Sequence, residues 1–278
     1  MNLDTPDDSK TRPLTRFENG EFRVVNDDVS IEQSLSISIH HLNEAHEFSN
    51  TLCSPRDKRD LAVGLMWSEG LVKNQSIATF NEFEISSSDS SVNVYIKPEI
   101  EVDLTANSRL QNSTPSCGWC GRTSVDEVME MLNGKSSPES IKISHSTIAN
   151  IVDDVRESQT TFSKTGGVHA AAVADKHGVI VYLREDVGRH NAVDKVIGAC
   201  INDGVSAGDI GILSLSGRAG IELVHKAAMA SIEIIIAVGA PTTLAIDVAR
   251  SANITLVGFV KHNSMNIYTH PQRIKDND

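Results

Sequence analysis

Three apolar runs constrain this chain more than any other feature: ILSL at 212–215, IIIAV at 234–238 and ITLVGFV at 254–260. Each is nearly continuous rather than alternating, which suits a strand covered by helices on both faces. Helical patterns separate them, one from Ile221 to Ala230 and a final one opened by Pro241. Strands that alternate with helices pair in parallel, so the runs predict the centre of a parallel sheet, with Ile254 to Val260 as its last strand. Upstream lie a strand from Val168 to Ala174, an Asp175-Lys176-His177-Gly178 turn, a strand from Val179 to Leu183, and a helix carrying Val193, Val196, Ile197 and Cys200. A hairpin followed by strand–helix repeats gives a three-layer α/β/α domain.

That order of elements resembles the cytidine deaminase fold, and we assign it to residues 124–270. Its first helix is expected after Ser124, which forms a capping box with Glu127, and a second spans Ser146 to Glu157. Residues 21–113 read as a smaller α+β region. Short alternating runs from Glu21 to Ile39 suggest strands, Pro55 opens a helix that Gly70 stops, and Ile77 to Ile85 and Val92 to Ile96 suggest further strands. The polar ends, 1–20 and 271–278, read as tails, the first of them mobile.

The formal net charge of -12 argues against sequence-independent nucleic-acid binding, which depends on many Lys and Arg side chains neutralising phosphates. Any anion site must be local. The first thirty residues lack an apolar core of signal-peptide type, and no stretch approaches the roughly 18 apolar residues of a membrane helix. A cytoplasmic protein without a membrane partner is expected.

There are four cysteines, Cys53, Cys117, Cys120 and Cys200. The C-x-x-C pair, Cys117-Gly118-Trp119-Cys120, occupies a loop at 114–123 between Pro115 and the helix expected after Ser124. A helix N-terminus favours a thiolate, because its free N–H groups and dipole stabilise negative charge. On spacing alone several readings stand: two small buried residues without a role, a zinc site, or a redox dithiol. Zinc needs four ligands and no second pair is present, and a thioredoxin-like pair belongs directly after a strand within a βαβ unit.

More of the text bears on the choice. SCGWCGRTSVDEV is preceded by SPRDKRDLAVGLMWSEGLV and followed in order by FSKTGGVHAAAVAD, REDVGRHNAVDKVIGA, SGRAGIELVHKAAMA, AVGAPTTLAIDVA and LVGFVKHNSMNIYT. Together these segments, over roughly residues 20 to 270, resemble the formate dehydrogenase accessory sulfurtransferase family. The resemblance implies a sulfurtransferase that takes persulfide sulfur from a cysteine desulfurase and passes it to bis-molybdopterin guanine dinucleotide (Mo-bis-MGD), destined for formate dehydrogenase. It maps the persulfide carrier to Cys117, with Cys120 as partner thiol, and the cofactor segment to Phe259, Val260, Lys261, His262, Asn263 and Ser264.

The end of a parallel strand is where open α/β sheets bind ligands, and Ser216-Gly217-Arg218 follows a neighbouring strand, so Ser216 and Arg218 join the candidate cofactor site. Thr165-Gly166-Gly167-Val168-His169 and Arg189-His190-Asn191 are weaker candidates, each as readily structural as functional. No metal site is expected. Deaminase chemistry lacks its residues, since GRHNAVDK carries no H-x-E glutamate and SGRAGIE no cysteine. Two other functions remain open at this point: a chaperone that binds the molybdenum cofactor without sulfur chemistry, and a dithiol oxidoreductase. The oligomeric state is not written in the sequence, an isologous homodimer being the reasonable expectation for a soluble chain.

Overall fold

The three apolar runs form the parallel centre of a six-stranded sheet in a computed structural model that describes residues 7–72, 76–103, 132 and 136–276. The loop carrying Cys117 and Cys120, and the helix expected after Ser124, lie outside the described residues.

In that sheet β10 (Ile212–Leu215), β11 (Ile234–Ala237) and β12 (Thr255–Lys261) are parallel, and β8 (His169–Ala174) and β9 (Ile180–Asp186) continue it as the antiparallel hairpin read from the sequence. Residues alternate between its two faces. Ile212, Ile234, Ile236 and Val257 pack on one side with Ile148, Ile151 and Val155 of α3 (His145–Ser158). Leu213, Leu215, Ile235 and Leu256 pack on the other, against α5 (Arg189–Asn202), α7 (Ile221–Met229) and α8 (Thr243–Ser251). Helices therefore cover both faces, which is why the strands could be continuously apolar.

A second, four-stranded sheet has the order β4-β3-β6-β5, built from β3 (Gln33–His41), β4 (Glu44–Cys53), β5 (Glu84–Ser87) and β6 (Ser91–Tyr95). Its buried Leu35, Ile37, Val92 and Val94 belong to the same core as Val193 and Val224, so the N-terminal region and the α/β domain share one hydrophobic interior. The joint is α1 (Lys58–Ser68) crossing α5. A Cβ on Gly64 would stand 1.8 Å from the Asp194 carbonyl oxygen, and one on Gly198 1.9 Å from that of Asp60. Glycine on both helices is what allows so close an approach. Gly70 ends α1 as expected: at φ 67° it lets its own N–H reach Trp67 O and that of Leu71 reach Met66 O, satisfying carbonyls that the helix leaves open.

Four expectations need correction. Residues 9–18 are not a mobile tail but β1 (Ser9–Glu18), paired antiparallel along its length with β2 (Glu21–Ser30) over an Asn19-Gly20 turn, both residues at positive φ. The segment read as a strand from Ile77 starts as α2 (Ile77–Asn81), capped by the Ser76 hydroxyl, which accepts from Thr79 N at 3.2 Å. The helix puts Phe80 against Trp67 and Phe83.

At the other end, β12 is not the last strand. It turns back into β13 (Ser264–Ile267), the edge of the large sheet. Residues 271–276 are not a tail either: a single 3-10 turn (Pro271–Arg273) leads to β14 (Ile274–Lys275), which pairs with β7 (Ile143–Ser144). Arg273 anchors it, fully buried, donating to Thr255 Oγ1 at 3.1 Å and Pro138 O at 2.8 Å with Glu233 at 3.6 Å. Among the described residues no helix is long and apolar enough to cross a membrane.

Candidate functional site

The carboxyl ends of β10, β11 and β12 open onto a cleft of about 760 Å³. Ligand sites commonly measure roughly 300 to 1,000 Å³, so the volume suits a nucleotide-sized guest. Its floor is Ser214, Leu215 and Ser216 from β10 and the turn after it, with Val238, Val260, Lys261 and His262 from the next two strand ends. One wall is α3 with Val152, Asp153, Val155 and Arg156, continued by Gln159 and by Phe162 of α4 (Thr160–Thr165). Gly166, Gly167, Val168 and His169 complete it.

The strand ends are held together by their own backbone. Gly239 N donates to Gly217 O at 3.0 Å and Phe259 N to Gly239 O at 3.2 Å, so the turns after β10 and β11 are bonded to each other and to β12. Glycine at 239 eases this approach, since a Cβ there would lie 3.0 Å from Arg218 backbone atoms, a tight contact. Ser216 locks the floor to β8: its N–H donates to Ala170 O at 3.0 Å and its Oγ accepts from Ala170 N at 2.8 Å. That geometry leaves the Ser216 hydroxyl hydrogen as the group a ligand could use.

His169 begins β8 half-buried on the same floor. Burial, followed by the charges of Arg189 and His190, holds its imidazole below the ordinary histidine range. It is therefore neutral at pH 7, able to donate from one nitrogen and accept at the other. His262 stands at the rim, its Nδ1 3.8 Å from Asp153 Oδ2.

Of the residues read from the sequence, the fold brings Ser216, Val260, Lys261 and His262 together in the cleft lining. Phe259 near the end of β12, Asn263 in the turn after it, Ser264 at the start of β13 and Arg218 after β10 lie outside that lining and are exposed. Phe259 adopts φ 54°, a left-handed conformation uncommon for an aromatic residue, at a register break between β12 and β13. Arg156, Gln159 and Phe162 were missed, because nothing in the spacing of α3 and α4 tells that they face strands about a hundred residues later. The Gly166 to His169 segment does reach the cleft. Arg189-His190-Asn191 does not line it, and Asn191 is spent on structure, donating to Leu52 O at 2.8 Å and Asp186 Oδ1 at 3.0 Å.

Cys53 and Cys200 are fully buried, and burial pushes both thiols up to about 12. Neither can be a nucleophile in the folded protein. Among the described residues no three His, Cys, Asp or Glu side chains are grouped to hold a metal ion.

Comparison with known proteins adds ancestry to this geometry. The FdhD/NarQ family model matches residues 30–275. The chain belongs to the FdhD/NarQ family. It is 39% identical over 252 residues to the sulfur carrier protein FdhD of Picrophilus torridus, an alignment covering 91% of this chain and 94% of that one. With the sulfur carrier protein FdhD of Thermoplasma acidophilum it shares 37% over 268 residues, covering 96% and 93%. Among solved structures, a candidate formate dehydrogenase accessory protein from Desulfotalea psychrophila has the same fold, with a TM-score of 0.76, 22% identity, and coverage of 97% of this chain and all of that one.

Proposed function

We propose that this chain is a cytoplasmic sulfur carrier. Cys117 accepts sulfur as a persulfide from a cysteine desulfurase and passes it to Mo-bis-MGD, the substrate, on its way to formate dehydrogenase. Cys120 serves as the partner thiol. The observation that carries this reading is the near full-length kinship with proteins named as sulfur carriers. The sealed state of Cys53 and Cys200 agrees with it, since it removes those two thiols as candidates for such chemistry.

The cleft is the place we assign to one nucleotide arm of the cofactor. Apolar side chains at Val152, Val155, Phe162, Val238 and Val260 offer walls for a flat ring, while Lys261, His262 and the Ser216 hydroxyl offer charge and hydrogen bonds to phosphate. Phe259, Asn263, Ser264 and Arg218 flank the mouth and would meet the parts of the cofactor that project from it.

Mass spectrometry after incubation with a cysteine desulfurase and cysteine tests the carrier role. One added sulfur on wild type, lost in Cys117→Ala and largely kept in Cys120→Ala, is the expected pattern. If Cys117→Ala still activates formate dehydrogenase as wild type does, the carrier role is wrong and a cofactor-binding chaperone takes its place.

A further inference from the structure

The α3 wall of the cleft carries a cation that no motif singled out. Helix α3 turns Val152, Val155 and Arg156 to the cleft, positions i, i+3 and i+4 of one helical face, and Gln159, its C-cap, continues them. Asp153 marks where that face stands: its Oδ2 lies 3.8 Å from His262 Nδ1 in the turn between β12 and β13, while the packing of Ile148, Ile151 and Val155 seats the helix. Arg156 is three residues on from Asp153, a spacing that puts their Cβ atoms about 5 to 6 Å apart on the helix surface. It therefore reaches into the cleft within one helical turn of the segment that carries Lys261.

Both cations are uncommitted. Arg156 and Lys261 are exposed, and neither side chain forms a hydrogen bond or ion pair with another described residue. On a chain of net charge -12, two free cations in the lining of one cleft are a local exception to the global field. The single carboxylate among the lining residues, Asp153, is already turned toward His262. A guanidinium offers a planar fork that fits two phosphate oxygens at once, whereas an ammonium supplies a compact point charge.

We propose that Arg156 is a second phosphate-binding residue of the cleft, clamping the diphosphate of a bound nucleotide from the α3 side while Lys261 holds it from the strand side. This rests on the reading that the cleft receives a nucleotide arm of the cofactor. The competing role for Arg156 is structural: it sits in the last turn of α3, where a cation complements the negative end of the helix dipole.

Calorimetric titration of the full chain with GDP, and separately with guanosine, tells these apart. In Arg156→Ala, GDP affinity should fall roughly tenfold or more, as for other charged contacts to phosphate, while guanosine affinity stays at the wild-type value. Arg156→Lys should recover part of the GDP loss, since charge returns without the fork. Unchanged GDP affinity in Arg156→Ala, with a loss in Lys261→Ala, would overturn the clamp and leave the cleft reading standing. Equal losses for GDP and guanosine would also overturn it, showing that Arg156 shapes the wall rather than holds phosphate. If wild type binds no GDP at millimolar concentration, the cleft reading and the clamp fall together.

Discussion

Lys195 Nζ lies 2.7 Å from Asp186 Oδ2 with both side chains entirely shut off from solvent. The pair is not isolated. Asp186 also accepts from Ser54 N at 3.0 Å, Gly188 N at 2.8 Å and Asn191 Nδ2 at 3.0 Å, while Lys195 reaches Ser54 O at 3.3 Å. One buried carboxylate, at the end of β9, thus ties the residue after β4 to the start of α5.

Removing one partner of a buried, hydrogen-bonded pair strands the other charge, which typically costs about 3 to 5 kcal/mol. We expect Lys195→Met and Asp186→Asn each to lower the unfolding free energy measured in urea by an amount in that range. The double variant should lose less than the sum, because the two share one interaction. Additive losses in denaturant titrations would show that the pair does not act as a unit.

The crossing of α1 and α5 gives a second expectation. Gly64→Ala or Gly198→Ala would drive a methyl group into a backbone carbonyl that cannot rotate away, so the helices must separate. Overpacking of this kind typically costs about 1 to 3 kcal/mol, against the slight gain Ala brings to an exposed helix position. Thermal melts of both variants measure it, and a melting point equal to or above wild type contradicts so tight an approach.

Cys53 and Cys200 report on the fold through pH. In the unfolded chain their thiols ionise near the ordinary value of 9.0, whereas in the fold they keep their protons up to about 12. The unfolded state therefore loses protons first, and stability that is complete below pH 9 falls as pH rises toward 12. Urea midpoints of wild type should drop over this interval more steeply than those of a Cys53→Ala/Cys200→Ala variant. Iodoacetamide at neutral pH should label Cys117 and Cys120 in the native protein and all four cysteines only after denaturation.

Much of this architecture is visible in the chain, and the failures share a cause. The apolar runs at 212–215, 234–238 and 254–260 announce buried parallel strands because burial on both faces dictates their composition, and Gly70 announces a helix end because few other residues tolerate its φ. Strand β1, and with it the β1–β2 pairing, escapes notice because the ten-residue ladder is largely solvated and so carries polar residues, such as Thr11 donating to Asp28 at 2.6 Å. The Asn19-Gly20 turn was the legible signal there. In α2 and just after it, Ile77, Phe80 and Phe83 suit a strand's composition, while the Ser76 cap decides for a helix over Ile77–Asn81.

The site divides in the same way. Ser216, Val260, Lys261 and His262 could be placed because they end strands whose carboxyl edges define the cleft. Arg156 and Phe162 could not, since their role depends on how α3 and α4 are seated on the sheet. Only the packing of Ile148, Ile151 and Val155 beneath them fixes that.

Phe259 closes the argument, because its backbone and its side chain can be separated. At φ 54° it holds a conformation that costs an ordinary residue about 1 to 2 kcal/mol and asparagine much less, and its ring is 44% exposed. The interior does not require the ring. The backbone does require the conformation, since it is what lets Phe259 N donate to Gly239 O at the register break. Strain retained beside a cleft points to a use for the group it presents. We therefore expect Phe259→Asn to raise the melting point by a few degrees, an effect of about 1 kcal/mol, while weakening guanine nucleotide binding. Differential scanning calorimetry and GDP titration on the same preparations decide the matter. A variant that gains stability and keeps full GDP affinity would mean that the ring does not meet the nucleotide, and a variant that loses stability would mean that the turn is not strained.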